Sequence, residues 1–383
     1  MPLRIIHVFR APIGGLFRHV ADLVRGQIAR GHEVGIISDS HTGDARADEI
    51  FAELAPRLRL GLTRIPMRRP LSPLDVPAVL HVTRRINATG ADVIHGHGAK
   101  GGAYARLALP NHSTVRAYTP HGGSLLLNHD NWSGRMYLAL ERVLLARRAV
   151  FLFESAYSGE IFRNKIGEPN GLVRVIHNGV SRSEFEPVAL APEASDLVFI
   201  GEFRPVKGID VLVEAIARLH RDGKPVTATL VGAGPDHAAV VAQVARLGLS
   251  GAVRFEPAMP ARRALSLGRV MVIPSRAESL PYVVLETAAC GRPLITTRVG
   301  GIPEIYGPLS DTLAPAGDAT ALAAAIARTL GDAAAAAATA DALRTRVATA
   351  FSDDTMVDGV LSAYRQALGQ AAVAPASTLA PKR

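Results

Sequence analysis

Short apolar runs rich in Ile, Val and Phe alternate along this chain with longer stretches of helical, amphipathic period. LRIIHVF (3–9) predicts a strand, followed by a turn at Gly14-Gly15 and a helix from about Phe17 to Arg30. EVGIIS (33–38), ADVIHGHG (91–98), VRAYTPHGG (115–123), VFLFES (150–155) and VRVIHNGV (173–180) predict further strands. At 186–196 the sequence EPVALAPEASD gathers Pro, Ala and Ser and reads as a linker. The pattern then restarts with LVFIGEF (197–203), a helix at 208–222, VTATLVGAG (226–234) and a helix at 236–247. AVRFEPA (252–258), VMVIPS (270–275), a helix over 283–291 and PLITTRVGG (293–301) follow. Alanine-rich helices are expected around 319–350 and 355–370.

Strands that alternate with helices form parallel sheets covered by helices on both faces. Two such successive blocks predict an α/β chain with two Rossmann-like domains facing across a cleft. The expected division is 1–188, then 189–355, with a helix at 356–370 returning to the first domain. The tail at 371–383 has no apolar period and is expected to be disordered.

Composition narrows this further. At 383 residues, with 48% hydrophobic and 20% charged residues, the chain suits two cores and excludes wholesale disorder. The single cysteine, Cys290, rules out an intramolecular disulfide and fits a reducing compartment. The N-terminal MPLRIIHVF is too short for a signal peptide, and VLLARRAVFLF (143–153) carries two arginines in its centre. The expected location is cytoplasmic, with peripheral contact at the inner face of the plasma membrane. That contact is suggested by charge: residues 1–190 hold 24 Lys and Arg against 16 Asp and Glu, whereas 191–383 hold 19 against 18. A basic first half is suited to an anionic membrane or an anionic lipid-linked acceptor. Nucleic acid is not expected, because aromatics make up only 5% and the arginines are scattered. RMYLALERVLLARRA (135–149) has the apolar and basic positions to lie on such a surface, although a helix of this kind more often packs on its sheet.

The most informative segment is 274–305. It places Glu278 in a loop after a strand and Glu286 eight positions later on the following helix. A helix starting near Tyr282 directs its unsatisfied N-terminal amides into that loop, which suits a diphosphate. Carboxylates on either side can grip hydroxyl groups, and Gly300 and Gly301 let backbone come close. The segment resembles retaining glycosyltransferases of family 4, whose signature is E-x7-E within P-S-x-x-E, E-x-x-A-x-G-x-P and G-G-x-x-E. Pro274, Ser275, Glu278, Glu286, Ala289, Gly291, Pro293, Gly300, Gly301 and Glu304 match it, and the likeness extends to about Leu368.

The resemblance implies a GT-B fold, with an acceptor-binding N-terminal domain and a C-terminal domain for a nucleotide-sugar donor (a UDP- or GDP-sugar). It implies that Glu278 hydrogen-bonds the donor sugar and Glu286 holds the ribose, while backbone from Leu280 through Pro281 and Tyr282 to Val283 meets sugar and diphosphate. In GEFRPVKG (201–208), Lys207 and Arg204 would neutralise the leaving diphosphate. The family pattern here is G-R-x-x-x-x-K-G, and this chain departs from it with Glu202 in the Arg position and Arg204 two residues later. LVGAGPDHAAV (230–240) fails as a dinucleotide fingerprint, since His237 stands where the third glycine belongs. By resemblance Gly232 and Gly234 lie near the base, and Gly14 and Gly15 approach donor phosphate and acceptor. His121, at a strand's C-terminal end, matches a histidine beside the transferred sugar.

His95 and His97 share one strand face and with His121 resemble a zinc set. No HExxH glutamate or cysteine pair joins them, so no metal is expected. Asn178-Gly179 matches the family's N-G-V-D with Ser181 replacing the acid, and reads as a turn. No Asp-x-Asp occurs, which removes the usual carboxylate pair for a divalent cation. The resemblance implies retention by front-face substitution, with the leaving phosphate taking the acceptor's proton and no cofactor beyond the donor. The acceptor is expected to be a glycan or a lipid-linked sugar in cell-envelope polysaccharide or glycolipid synthesis. A nucleotide-sugar 2-epimerase, another GT-B enzyme or an inactive sugar-binding protein are the alternatives.

Overall fold

The computed structural model describes residues 1–122 and 132–373. The chain divides into two compact units, one of Met1–His177 with Asp353–Arg383, the other of Asn178–Ser352.

The first unit is built on seven parallel strands: β1 (Arg4–Phe9), β2 (Glu33–Asp39), β3 (Leu62–Ile65), β4 (Val93–His97), β5 (Val115–Thr119), β6 (Val150–Phe153) and β7 (Val173–Val175). Their order is β3-β2-β1-β4-β5-β6-β7. Because helices cover both faces, the central strands are apolar on both sides: Ile5, Ile6, Val8 and Phe9 are all buried. On one face Ile5, Val93 and Ala117 pack with Leu23 and with Val357, Val360 and Leu361. Leu23 belongs to the helix Gly14–Ala29 and the last three to Asp353–Val373. On the other face Ile6, Val8 and Ile94 pack with Val82 and Ile86 of Asp75–Thr89 and Tyr104 of Gly98–Leu107.

The second unit holds five parallel strands, β8 (Ser195–Ile200), β9 (Ala228–Val231), β10 (Val253–Glu256), β11 (Gly268–Ile273) and β12 (Leu294–Thr296), in the order β10-β9-β8-β11-β12. One face buries Leu212, Val213 and Ile216 of the helix Ile209–Arg221. The other buries Val284, Leu285 and Ala288 of Tyr282–Ala289, with Leu343 and Val347 of Ala333–Ala350.

Several elements differ from the sequence pattern. The segment 186–196 lies within the second unit, and β7 keeps only three residues of VRVIHNGV. The alanine-rich stretch is two helices, Ala319–Gly331 and Ala333–Ala350, interrupted at Asp332, whose carboxylate accepts from the Ala335 amide at 2.9 Å and so starts the second. The 135–149 pattern forms Trp132–Leu144. That helix is docked through Leu138, Leu144 and a buried Glu141, which takes Arg106 at 2.7 Å and the Tyr118 hydroxyl at 2.8 Å. The glycine-rich loop from 123 and the tail from 374 lie outside the described residues.

Candidate functional site

In open parallel sheets, ligands collect at strand C-termini where the direction of strand addition reverses. That point falls between β8 and β11 in the second unit and between β1 and β4 in the first.

In the second unit, Lys207 follows β8 and Glu278 follows β11, so the two strands flanking the reversal supply the cation and the acid. Lys207 Nζ donates to Glu278 Oε1 at 2.6 Å, and the Ser275 hydroxyl donates to the same oxygen at 2.7 Å. Glu278 and Ser275 are buried. Three loops are interlocked to hold this arrangement. The Arg276 amide donates to the Val206 carbonyl at 2.7 Å, and its guanidinium forks onto Asp210 at 2.7 and 2.6 Å. Those bonds hold the Asp210 carboxyl below its usual range. The loop after β9 joins through Phe203 N to Ala233 O (2.9 Å) and Asp236 N to Phe203 O (3.0 Å).

The loop after β12 braces Glu278 from behind. The Thr297 hydroxyl donates to the Ser275 carbonyl at 2.5 Å and the Gly301 amide to the Ser279 carbonyl at 2.7 Å. Gly300 has φ of 57°, and a Cβ there would sit 1.7 Å from the Glu278 carbonyl oxygen. Gly300 therefore has a structural reason: what it approaches is the backbone of the acid. Gly232 and Gly234 are explained in the same way, since a Cβ would fall 1.9 Å from the Gly201 carbonyl and 2.4 Å from that of Phe203.

The helix Tyr282–Ala289 begins beside this pair, with Leu280 and Pro281 leading into it. Pro281 at its N-cap offers no side-chain bond to the first amides, so the first turn at Tyr282 and Val283 is not capped by its own side chain. Glu286 stands partly exposed on that helix. Asn178 is buried, and its side-chain amide donates to the Leu280 carbonyl at 2.8 Å, so the residue expected only to shape a turn also braces this loop. Arg204 is not brought to Lys207 or Glu278. Its Nε donates to Glu202 at 2.7 Å, and it lines a 330 Å³ cavity with Asp236, Gln243 and Arg276. A larger cavity, 670 Å³, lies by Leu294 and the helices Ala319–Gly331 and Ala333–Ala350, and neither Glu278 nor Glu286 lines it.

In the first unit, Gly14 has φ of 62° at the first turn of its helix, with nothing within 4 Å of where a Cβ would stand, and Gly15 follows it. This leaves open space at the β1 end of the reversal point. His121 stands two residues beyond β5, with φ of 53°, a left-handed backbone that a non-glycine residue rarely takes. Its ring belongs to a histidine cluster larger than the sequence suggested: His95, His97 and His121 are joined by His7 of β1 and His19 of the helix Gly14–Ala29. Burial lowers His7 to about 4 and holds His95, His97 and His121 well below the usual imidazole value, so these rings are neutral at pH 7. Ligand atoms of His7, His95 and His97, and of His19, His97 and His121, lie within 4.8 Å of one another, which is a donor set that a borderline ion such as Zn²⁺ accepts. His7, His19 and Gln27 do not stand out in the sequence, and Ser275 does so only as a motif match, because their roles depend on contacts between elements distant in the chain.

Known proteins agree with this architecture. A family model for Glycosyltransferase Family 4 matches residues 13–184, and one for Glycosyl transferases group 1 matches 194–332. The chain is 28% identical to a D-inositol 3-phosphate glycosyltransferase of Acidothermus cellulolyticus, over 96% of this chain and 89% of that protein. It is 27% identical to a glycogen synthase of Mycobacterium tuberculosis, over 92% and 91%. Among solved structures, sucrose-phosphate synthase from Thermosynechococcus elongatus superposes with a TM-score of 0.79 at 23% identity, covering 96% of this chain and all of that one. Anabaena HepE, solved with UDP-glucose, gives 0.78 at 18%, covering 95% and 100%. Fold and site thus define a glycosyltransferase of the GT-B type. Residues 13–184 form a domain of the Glycosyltransferase Family 4 type and 194–332 one of the Glycosyl transferases group 1 type.

Proposed function

We propose that this enzyme transfers a sugar from a nucleotide-sugar donor, with retention of configuration and without a metal ion, to a glycan or lipid-linked acceptor in envelope polysaccharide or glycolipid synthesis. The observation that carries this reading is the Lys207–Glu278 pair at 2.6 Å, set at the reversal point of the second sheet beside the start of Tyr282–Ala289. Glu278 accepts hydrogen bonds from donor hydroxyls, and Glu286 holds the ribose. The helix-end amides and Lys207 stabilise the departing diphosphate by charge fixed before the reaction begins. Arg204 would add to this only by leaving Glu202, and His121 lies beside the transferred sugar. The leaving phosphate takes the acceptor's proton, so no protein base is invoked.

The relatives named above act on different acceptors at nearly equal identity, so the acceptor is argued from the surface. Leu74, Val76, Leu80, Leu107 and Leu109 are exposed, and four of them lie around a 360 Å³ apolar cavity that also includes Arg147. With the basic balance of the first half, this favours an anionic lipid surface and a lipid-linked acceptor, with the enzyme peripheral on the cytoplasmic face. Among the described residues no single helix is long and apolar enough to cross a membrane.

The test is a thermal-shift screen of UDP- and GDP-sugars, then turnover with and without EDTA, then sedimentation with phosphatidylglycerol vesicles. A donor that stabilises the protein, turnover that survives EDTA, and a Glu286→Ala variant losing about 2–4 kcal/mol of donor binding are expected. Isomerised donor in place of transfer would establish an epimerase. Binding without turnover would establish a sugar-binding protein.

A further inference from the structure

The first unit carries a hydrogen-bonded chain that the proposed chemistry does not use. Gln27 Oε1 lies 2.8 Å from His7 Nε2, His7 Nδ1 lies 2.9 Å from His97 Nε2, and His97 Nδ1 lies 3.0 Å from His121 Nε2. It starts on the helix Gly14–Ala29, crosses β1 and β4 at the reversal point, and ends past β5. Gln27 and His7 are fully buried and His97 is almost so. Among the described residues no carboxylate bonds to His7, His97 or His121, so no fixed negative charge favours an imidazolium there.

The direction of this chain follows from elementary donor and acceptor rules. A neutral imidazole has one N–H and one lone pair, and an amide oxygen can only accept. Gln27 Oε1 therefore requires the proton of His7 on Nε2. His7 Nδ1 must then accept from His97 Nε2–H, and His97 Nδ1 must accept from His121 Nε2–H. The single atom left over is His121 Nδ1, with its lone pair unused among the described residues.

We infer that Gln27, His7 and His97 are positioning residues that fix His121 in its Nε2–H tautomer, presenting Nδ1 as an acceptor for a hydroxyl group of the bound sugar. This rests on the proposed placement of His121 beside that sugar. His121 also takes a left-handed backbone, rare for a non-glycine residue, at the end of this chain of bonds. His95 is nearby, its ring 3.8 Å from that of His97, but it is not a link. Its two nitrogens are taken by the Thr119 hydroxyl at 2.9 Å and the Tyr364 hydroxyl at 2.7 Å. His19 meets His121 edge to face at 4.6 Å.

The experiment is ¹⁵N NMR of the full chain labelled at histidine, with His121→Gln used to assign its signals. At pH 7.5 His121 should show a protonated Nε2 and an unprotonated Nδ1. A His121 with its proton on Nδ1 would overturn the inference, because the chain would then run the other way. Gln27→Leu removes the anchor and should give a mixture of His121 tautomers, with kcat falling about 5- to 10-fold, the worth of one neutral hydrogen bond, and donor KM changing less than twofold. Gln27→Glu sets a carboxylate against His7, favours its imidazolium and should reverse the chain, moving the His121 proton to Nδ1. An unchanged tautomer and unchanged kcat in Gln27→Leu would refute the positioning role. If Gln27→Leu does not fold, the wild-type spectrum still decides the direction. Stoichiometric movement of the His7 and His97 signals on adding Zn²⁺ would also overturn it, by making these rings metal ligands. Absence of sugar transfer with an intact Nε2–H tautomer would count against the proposed function alone.

Discussion

Lys207→Ala removes the cation that faces a buried acid, and its effect can be worked from the geometry. At 2.6 Å two unit charges attract by roughly 6 kcal/mol at an effective dielectric of 20. Desolvation of both groups offsets most of that. The Lys207 side chain is 26% exposed and Glu278 10%, so solvent screening brings the expected loss to about 2 kcal/mol. For a unit of this size that lowers the unfolding midpoint by about 4–8 °C. Glu278→Gln keeps an acceptor for Ser275 but loses the charge, so the double variant should lose less than the sum of the two, with a coupling of about 1–2 kcal/mol. Scanning calorimetry measures all four proteins, and hydrogen exchange over Tyr282–Ala289 assigns the transition to the second unit. Turnover of Lys207→Ala at saturating donor should fall about 10²- to 10³-fold, as when a preset donor to developing charge is removed. Additive stabilities within about 0.3 kcal/mol together with wild-type turnover would refute the reasoning.

Gly300→Ala should cost about 1–2 kcal/mol for the left-handed backbone alone, and because its methyl group meets the Glu278 carbonyl, turnover should fall at least about 10-fold. The first unit should lose stability as pH falls from 6.5 to about 4: His7 is depressed by burial, so the unfolded chain takes up its proton first, a loss of roughly 3 kcal/mol that a urea titration of wild type against His7→Asn measures. Asp210, held low by hydrogen bonds from Arg276, contributes above the unfolded carboxyl value and loses that contribution as pH falls through its depressed one. Both groups are well exposed, so Arg276→Ala should cost less than about 1 kcal/mol at pH 6, and the cost should shrink as pH falls through the depressed Asp210 value.

The strands that carry the site were legible because buried parallel strands are written as apolar runs, and the acids because E-x7-E stands in a dense motif. Lys207 was readable for the same reason. Arg204 was harder: its neighbour Glu202 is two residues away in sequence, but only the loop geometry shows that the two pair. The glycines were recognised as close-approach positions while their neighbour was not, since a Cβ clash with the Glu278 carbonyl is a tertiary fact. β3 escaped notice because LTRI is four residues long and only partly buried. Gln27 and His7 carry no local signal, the first on an amphipathic helix and the second in an apolar strand, because each has its partner on another element.

The second unit is one uninterrupted stretch of chain, and its two ends are neighbours: Val180 pairs with Ser352, and its amide donates to the Phe351 carbonyl at 2.8 Å. Such a piece can be cut out at both ends without severing a strand of either sheet, and the halves of its host can be rejoined by a short graft. With the donor held by this unit as proposed, exchange of the cassette between relatives is a route by which evolution, or an engineer, alters which activated sugar is used while leaving the rest of the chain untouched.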